Sequence, residues 1–254
     1  MTDRRIPLQG ADNARDLGGL AAADGRHVIS NRLLRANNLH DLTAADAAVL
    51  AGRGLTTVID LRTDAEAGQR PDVALSGVVH LHMPIFQAAA FGITHERIAS
   101  GDLADGDRAD MCDMYRLMVT DPTCLANLAA VLQAIASHGD GAVLWHCTEG
   151  KDRAGLTAAL ILTGLGVDEQ TIMDDYLLTN QVGEIRAQAA YRQCLAATGR
   201  PQVATMLADL YRAKAGYLQA ALEQIDRLHG GRRHFLTAVM GLDLDALAGR
   251  YLTD

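Results

Sequence analysis

The chain has 254 residues, 49% of them hydrophobic and 21% charged, an ordinary globular composition with length enough to bury roughly three quarters of its unfolded surface in one domain. Acidic residues outnumber basic ones by 31 to 23, and the net charge of −8 argues against binding nucleic acid or an anionic membrane with the surface at large. Cys112, Cys124, Cys147 and Cys194 have no paired spacing, so neither a disulfide framework nor a zinc site is expected, and a reducing compartment is. No apolar run follows Met1 to Arg5 and none reaches transmembrane length. The expected location is cytoplasmic, or secreted without a Sec-type signal peptide, and no stable membrane insertion is expected.

The first periodic segment, Leu42 to Gly52, predicts a helix with Thr43 as N-cap. Short apolar runs at Thr56 to Leu61, Val78 to Ile85 and Ala142 to His146 predict buried strands. Residues 88–114 break any pattern and read either as a lid inserted over a site or as a plain surface loop. Pro122 to His138, with Asp121 ahead and Gly139 behind, predicts a helix. Helical patterns then cover 156–165, 168–181, 184–198, 201–212, 214–229, 231–240 and 243–251. The sum is an α/β protein, one domain over 1–254, with a small mostly parallel sheet and a helical part over 156–254.

Between the last strand and the helices lies His146-Cys147-Thr148-Glu149-Gly150-Lys151-Asp152-Arg153-Ala154-Gly155. Backbone N–H groups of a strand-to-helix loop converge, and the helix adds its positive end, so a phosphate is attracted there. The same field favours a thiolate over a thiol and makes Cys147 the candidate nucleophile. Arg153 can reach two phosphate oxygens in a fork that lysine could not reproduce. Gly150 permits unusual torsions, and Gly155 permits close packing of helix on strand. His146 is expected to orient the loop and support the thiolate.

Cys-x5-Arg resembles the phosphate loop of cysteine-dependent phosphatases. The fuller HCxxGKDR(T/A)G form is similar to the bacterial tyrosine phosphatase family that includes mycobacterial protein tyrosine phosphatase B, whose members are described as tyrosine, dual-specificity and phosphoinositide phosphatases. Further matches are Asn13 to Gly19 (NARDLGG), Leu34-Arg35-Ala36 with Leu39 through Asp46, Val58 to Arg62 with Glu66 and Pro71-Asp72, Asp175 to Asn180, and Tyr217-Leu218 to Ile225, so the resemblance spans nearly the whole chain. It implies a cysteine-phosphatase-like fold and hydrolysis of phosphate monoesters through a phosphocysteine, without metal or cofactor. The implied ligands are a phosphotyrosine protein or a phosphoinositide, with phosphate or other oxyanions in the loop. A dual-specificity or lipid phosphatase is the alternative, and a noncatalytic phosphate-binding protein a more distant one. Nothing in the sequence gives the oligomeric state.

In related dual-specificity phosphatases a loop aspartate after Pro-Ile protonates the leaving oxygen. Here that place reads Pro84-Ile85-Phe86-Gln87, and glutamine is no proton donor. Asp152 is the favoured replacement, as in the KDR-type family, against a plain role at the helix start. Asp102, Asp105, Asp107 and Asp110 are reserves. The predicted substrate-binding set is Thr148, Glu149, Gly150, Lys151 and Ala154. Lys151 would contact a second phosphate, or else balance Asp152 or Glu149. Glu149 would oppose an inositol headgroup unless turned away. Ala154 lacks the hydroxyl many phosphatases carry there, which predicts slow hydrolysis of the phosphocysteine. Arg15, Asp16, Arg35 and Arg62 read as internal ion pairs, and His80 and His82 as structural rather than metal-binding.

Overall fold

The computed structural model describes residues 4–87 and 111–253. Five strands form one sheet: β1 (Arg15–Asp16), β2 (Leu33–Ala36), β3 (Leu55–Asp60), β4 (Val79–His82) and β5 (Ala142–His146). Their order is β1-β2-β5-β3-β4, with β1 antiparallel to β2 and the other pairings parallel. The register aligns Ala36, His146, Asp60 and His82 at one end, so β5 delivers Cys147 to the carboxyl edge between two flanking strands. In open parallel sheets that edge is where ligands bind.

Side chains alternate between two apolar layers, as the period of two in a strand requires. Leu33, Ile59, Val143 and Trp145 face one layer and Leu34, Val58 and Leu144 the other. The second layer is closed by α1 (Ala44–Gly52) and the N-terminal segment around Ile6 and Leu8. Thr43 and Asp46 form a reciprocal capping box at α1, and Asp121 caps a longer helix, Pro122–Ala136.

Two short helices lacked a clear signal: α2 (Asp64–Gln69), and α3 (Met111–Met118), which takes up the end of the 88–114 segment. The rest of that candidate lid, residues 88–110 with Asp102, Asp105, Asp107 and Asp110, lies outside the described residues. The helix Pro122–Ala136 is α4; then follow α5 (Asp152–Gly164), α6 (Glu169–Leu177), α7 (Asn180–Thr198), α8 (Pro201–Asp209), α9 (Ala215–His229), a short turn Arg232–His234 running into a π-helical turn Phe235–Val239, and α10 (Leu244–Tyr251). Among the described residues no single helix is long and apolar enough to cross a membrane.

One expectation needs correction. The strand expected to be buried over Val78 to Ile85 is the short edge strand β4, with Val79 56% and Leu81 37% exposed, because it pairs only with β3. The helical pattern read over 156–165 extends back to Asp152, which agrees with the reading of Asp152 and Arg153 at a helix start and puts both in its first turn.

Candidate active site

Cys147 is 2% exposed at the end of β5. From there the backbone turns through Gly150, whose φ of +67° favours glycine. A Cβ at Gly150 would stand 2.5 Å from the Ala36 carbonyl oxygen, so glycine is needed for space as well. Gly155 lies against Arg35 and the Tyr176 ring, each 3.0 Å from where a Cβ would be. Trp145 donates its indole N–H to the Ala154 carbonyl at 3.1 Å, pinning β5 to α5.

Three successive loop carbonyls are pulled outward. Asn38 donates from its backbone and its side chain to the Thr148 oxygen, both at 3.1 Å. Asn13 donates to the Glu149 oxygen at 2.8 Å, and Arg35 to the Gly150 oxygen at 2.7 Å. A trans peptide sets each N–H opposite its C=O. The N–H groups of Glu149, Gly150 and Lys151 therefore turn away from those braces, toward the loop interior. Lys151 at the start of α5 supplies no side-chain cap, leaving the first N–H groups of the helix for an anion.

Behind the loop, positive charge is in excess. Asp175 is shared by Arg4 at 2.7 Å, Arg35 at 2.9 Å and Arg15 at 3.3 Å. Burial opposes ionisation of Asp175, but Arg15, Arg35 and Arg4 hold it well below the usual carboxylate range. On the other side, His146 places Nε2 2.8 Å from Asp72, and Arg62 pairs with Asp60 and Asp72 at 2.7 and 2.8 Å. The expected internal pairing of Arg15, Arg35 and Arg62 is what the structure contains, and Asp16 accepts from the Gly18 and Asn31 N–H groups. His146 is fully buried, with Nδ1 3.4 Å from the Cys147 carbonyl oxygen, in a position to orient the loop.

The guanidinium of Arg153 lies 5.0 Å over the Phe86 ring and is gripped by Glu66, whose carboxylate oxygens accept at 2.6 and 2.7 Å. Thr148 Oγ1 donates to the same carboxylate at 2.6 Å. Although burial alone would raise the Glu66 pKa, Arg153 holds it well below the carboxylate range. Glu66 had been visible only as part of a family match. Its Thr-x-x-Glu spacing was the missed signal, since the Thr63 capping box fixes it in the first turn of α2.

Among the predicted substrate-binding residues, the side chains of Thr148, Lys151 and Glu149 are engaged by other parts of the protein. Lys151 is buried; its ammonium donates to the carbonyls of Leu210 at 2.6 Å and Arg212 at 3.2 Å and lies 3.4 Å from Asp152 Oδ1, so it ties the loop to the α8–α9 connection and balances Asp152, the second of its two expected roles. Glu149 pairs with Arg186 at 2.5 Å, and Arg186 also pairs with Asp12. Its charge is compensated and turned toward α7. Ala154 is fully buried. Asp152 accepts from the Tyr115 hydroxyl at 2.8 Å, a contact with no sequence signal. Gln87 accepts from the Asp64 N–H at 3.4 Å, His82 lies 2.9 Å from the Arg62 carbonyl and His80 accepts from the Leu75 N–H at 3.4 Å, all structural contacts.

A buried thiol at a helix start, inward-facing N–H groups and a held arginine together make the site of a cysteine-dependent phosphatase. The chain belongs to the tyrosine phosphatase family, whose model matches residues 6–253. It is 34% identical to a protein of Cupriavidus necator that carries a tyrosine-protein phosphatase name, over 94% of this chain and 85% of that one. It is 29% identical to the triple specificity protein phosphatase PtpB of Mycobacterium tuberculosis, over 93% of each chain. A tyrosine-protein phosphatase of Nostoc commune is 27% identical over 84% of this chain and 70% of its own length.

Proposed function

We propose that this protein-tyrosine phosphatase hydrolyses phosphotyrosine monoesters in two steps on Cys147. The thiolate attacks phosphorus while Arg153 and the loop N–H groups hold the equatorial oxygens, the bond to the tyrosyl oxygen breaks, and Asp152 gives that oxygen a proton. Water then attacks the phosphocysteine, Asp152 takes the proton, and the thiolate leaves with its electron pair as inorganic phosphate departs. The observation that carries this reading is the outward bracing of the Thr148, Glu149 and Gly150 carbonyls around Cys147.

The choice of phosphotyrosine over a phosphoinositide rests on Lys151. The residue that would reach a second phosphate is held by the carbonyls of Leu210 and Arg212. A substrate panel at equal enzyme concentration tests this: a phosphotyrosine peptide is expected to turn over faster than inositol phospholipids, and the opposite order overturns the preference. We place the protein in a reducing compartment, where Cys147 stays free.

A further inference from the structure

We propose that Tyr115 is a positioning residue for proton transfer: its hydroxyl fixes Oδ1 of Asp152, so that Oδ2 is the atom that gives and takes the proton. The proposal rests on the reading of Asp152 as general acid and adds how that carboxyl serves both steps.

Tyr115 on α3 donates to Asp152 Oδ1 at 2.8 Å, and the Lys151 ammonium lies 3.4 Å from the same oxygen. Among the described residues Oδ2 has no hydrogen-bond or ion-pair partner. A phenol has one hydrogen. Since Tyr115 gives its own to Asp152, the 2.7 Å contact between the Tyr115 and Tyr176 hydroxyls must have Tyr176 as donor. A directed chain results, from Tyr176 through Tyr115 to Oδ1. Both rings are buried and meet edge-on with centroids 6.3 Å apart, so packing fixes the chain. Burial first, and then the charge of Asp152, keep both phenols well above their ordinary pKa, so they remain donors at any working pH.

The other titratable or charged groups facing Asp152 are Tyr217 from α9 and its neighbours Lys151 and Arg153. Oδ1 accepts the Tyr115 bond both as a carboxylate oxygen and, more weakly, as the carbonyl oxygen of a protonated acid. The anchor is therefore the same in both steps. The carboxyl changes from acid to base on Oδ2 without rotating.

The test compares kcat/KM for phenyl phosphate, a poor leaving group, with p-nitrophenyl phosphate, a good one. Tyr115→Phe should lose about tenfold on the poor leaving group and much less on the good one. Its alkaline limb should move to higher pH, because a carboxylate that has lost a donor holds its proton longer. Inhibition by inorganic phosphate should be unchanged. In an Asp152→Asn background, adding Tyr115→Phe should cost nothing further. Tyr176→Phe, which leaves Tyr115 in place, should show the same pattern more weakly and serves if Tyr115→Phe does not fold. Equal losses on both leaving groups with an unmoved limb, or full additivity with Asp152→Asn, overturn the proposal. If Asp152→Asn alone is insensitive to the leaving group, the assignment of Asp152 as acid fails first and takes the role of Tyr115 with it.

Discussion

Glu66 holds Arg153 end-on, with Oε2 2.6 Å from Nη1 and Oε1 2.7 Å from Nη2. A guanidinium has five N–H bonds; Nη1 and Nη2 also make long contacts to the Leu61 carbonyl at 3.5 Å and Thr148 Oγ1 at 3.4 Å, which a bound phosphate can replace, and among the described residues the Nε–H is left for a phosphate oxygen. Glu66→Gln should therefore weaken oxyanion binding by loosening the arginine. Losing a charge-assisted contact of about 1.5–3 kcal/mol predicts a drop of roughly ten- to a hundredfold in kcat/KM, with a matching rise in the vanadate inhibition constant. Unchanged vanadate affinity would contradict the role given to Glu66.

Lys151 is held by the α8–α9 connection. Lys151→Met keeps the aliphatic stem but leaves the Leu210 and Arg212 carbonyls without their shared donor. Each buried acceptor left unpaired costs about 1–3 kcal/mol, so a lower melting temperature is expected. The ratio of rates on singly and doubly phosphorylated substrates should not move. A selective loss on doubly phosphorylated substrates would return Lys151 to the substrate.

Asp175 neutralises part of a buried cluster of Arg4, Arg15 and Arg35. Asp175→Asn should destabilise the fold by about 3–5 kcal/mol, read by chemical denaturation, because it strands buried cations. The same carboxylate and Glu66 have folded pKa values below their ordinary 3.8 and 4.5. For depressed carboxyls the stabilisation is fully present above the unfolded pKa and is lost as pH falls toward the folded one. Stability should be flat above about pH 5 and fall below about pH 4. A fall beginning near neutrality would point to another group.

Asp152→Asn should cost on the order of a hundredfold or more on an aryl phosphate with a poor leaving group and much less on one with a good leaving group. Equal losses on both would remove Asp152 from proton transfer.

The β5-loop-α5 unit was legible because each of its residue types answers a local demand: an apolar run, a glycine with positive φ, an arginine in the first turn. The family matches around Asn13, Arg35 and Glu66 were legible as patterns without their purpose. Bracing loop carbonyls and gripping Arg153 are contacts between distant parts of the chain, which periodicity does not encode. Of the two roles expected for Lys151, balancing Asp152 is present at 3.4 Å, while its tie to the α8–α9 connection had no sequence signal. A lysine beside a phosphate loop suggests a phosphate ligand, and only the packed position of residues 210–212 shows what it meets. Tyr115 had no signal, since its helix follows a stretch of sequence without periodicity and its partners lie on α5 and α6.

Transfer of phosphorus to Cys147 is the step on which the proposed reaction turns. Rapid acid quench of the wild-type enzyme during turnover of a phosphotyrosine peptide, followed by mass measurement of the loop peptide, reads this directly. A mass increase of one phosphoryl group on Cys147 is expected, together with its absence and the loss of turnover in Cys147→Ser, which should still bind phosphate. Sustained turnover by Cys147→Ser, or a phosphoryl group carried by a different residue, would rule out Cys147 as the nucleophile.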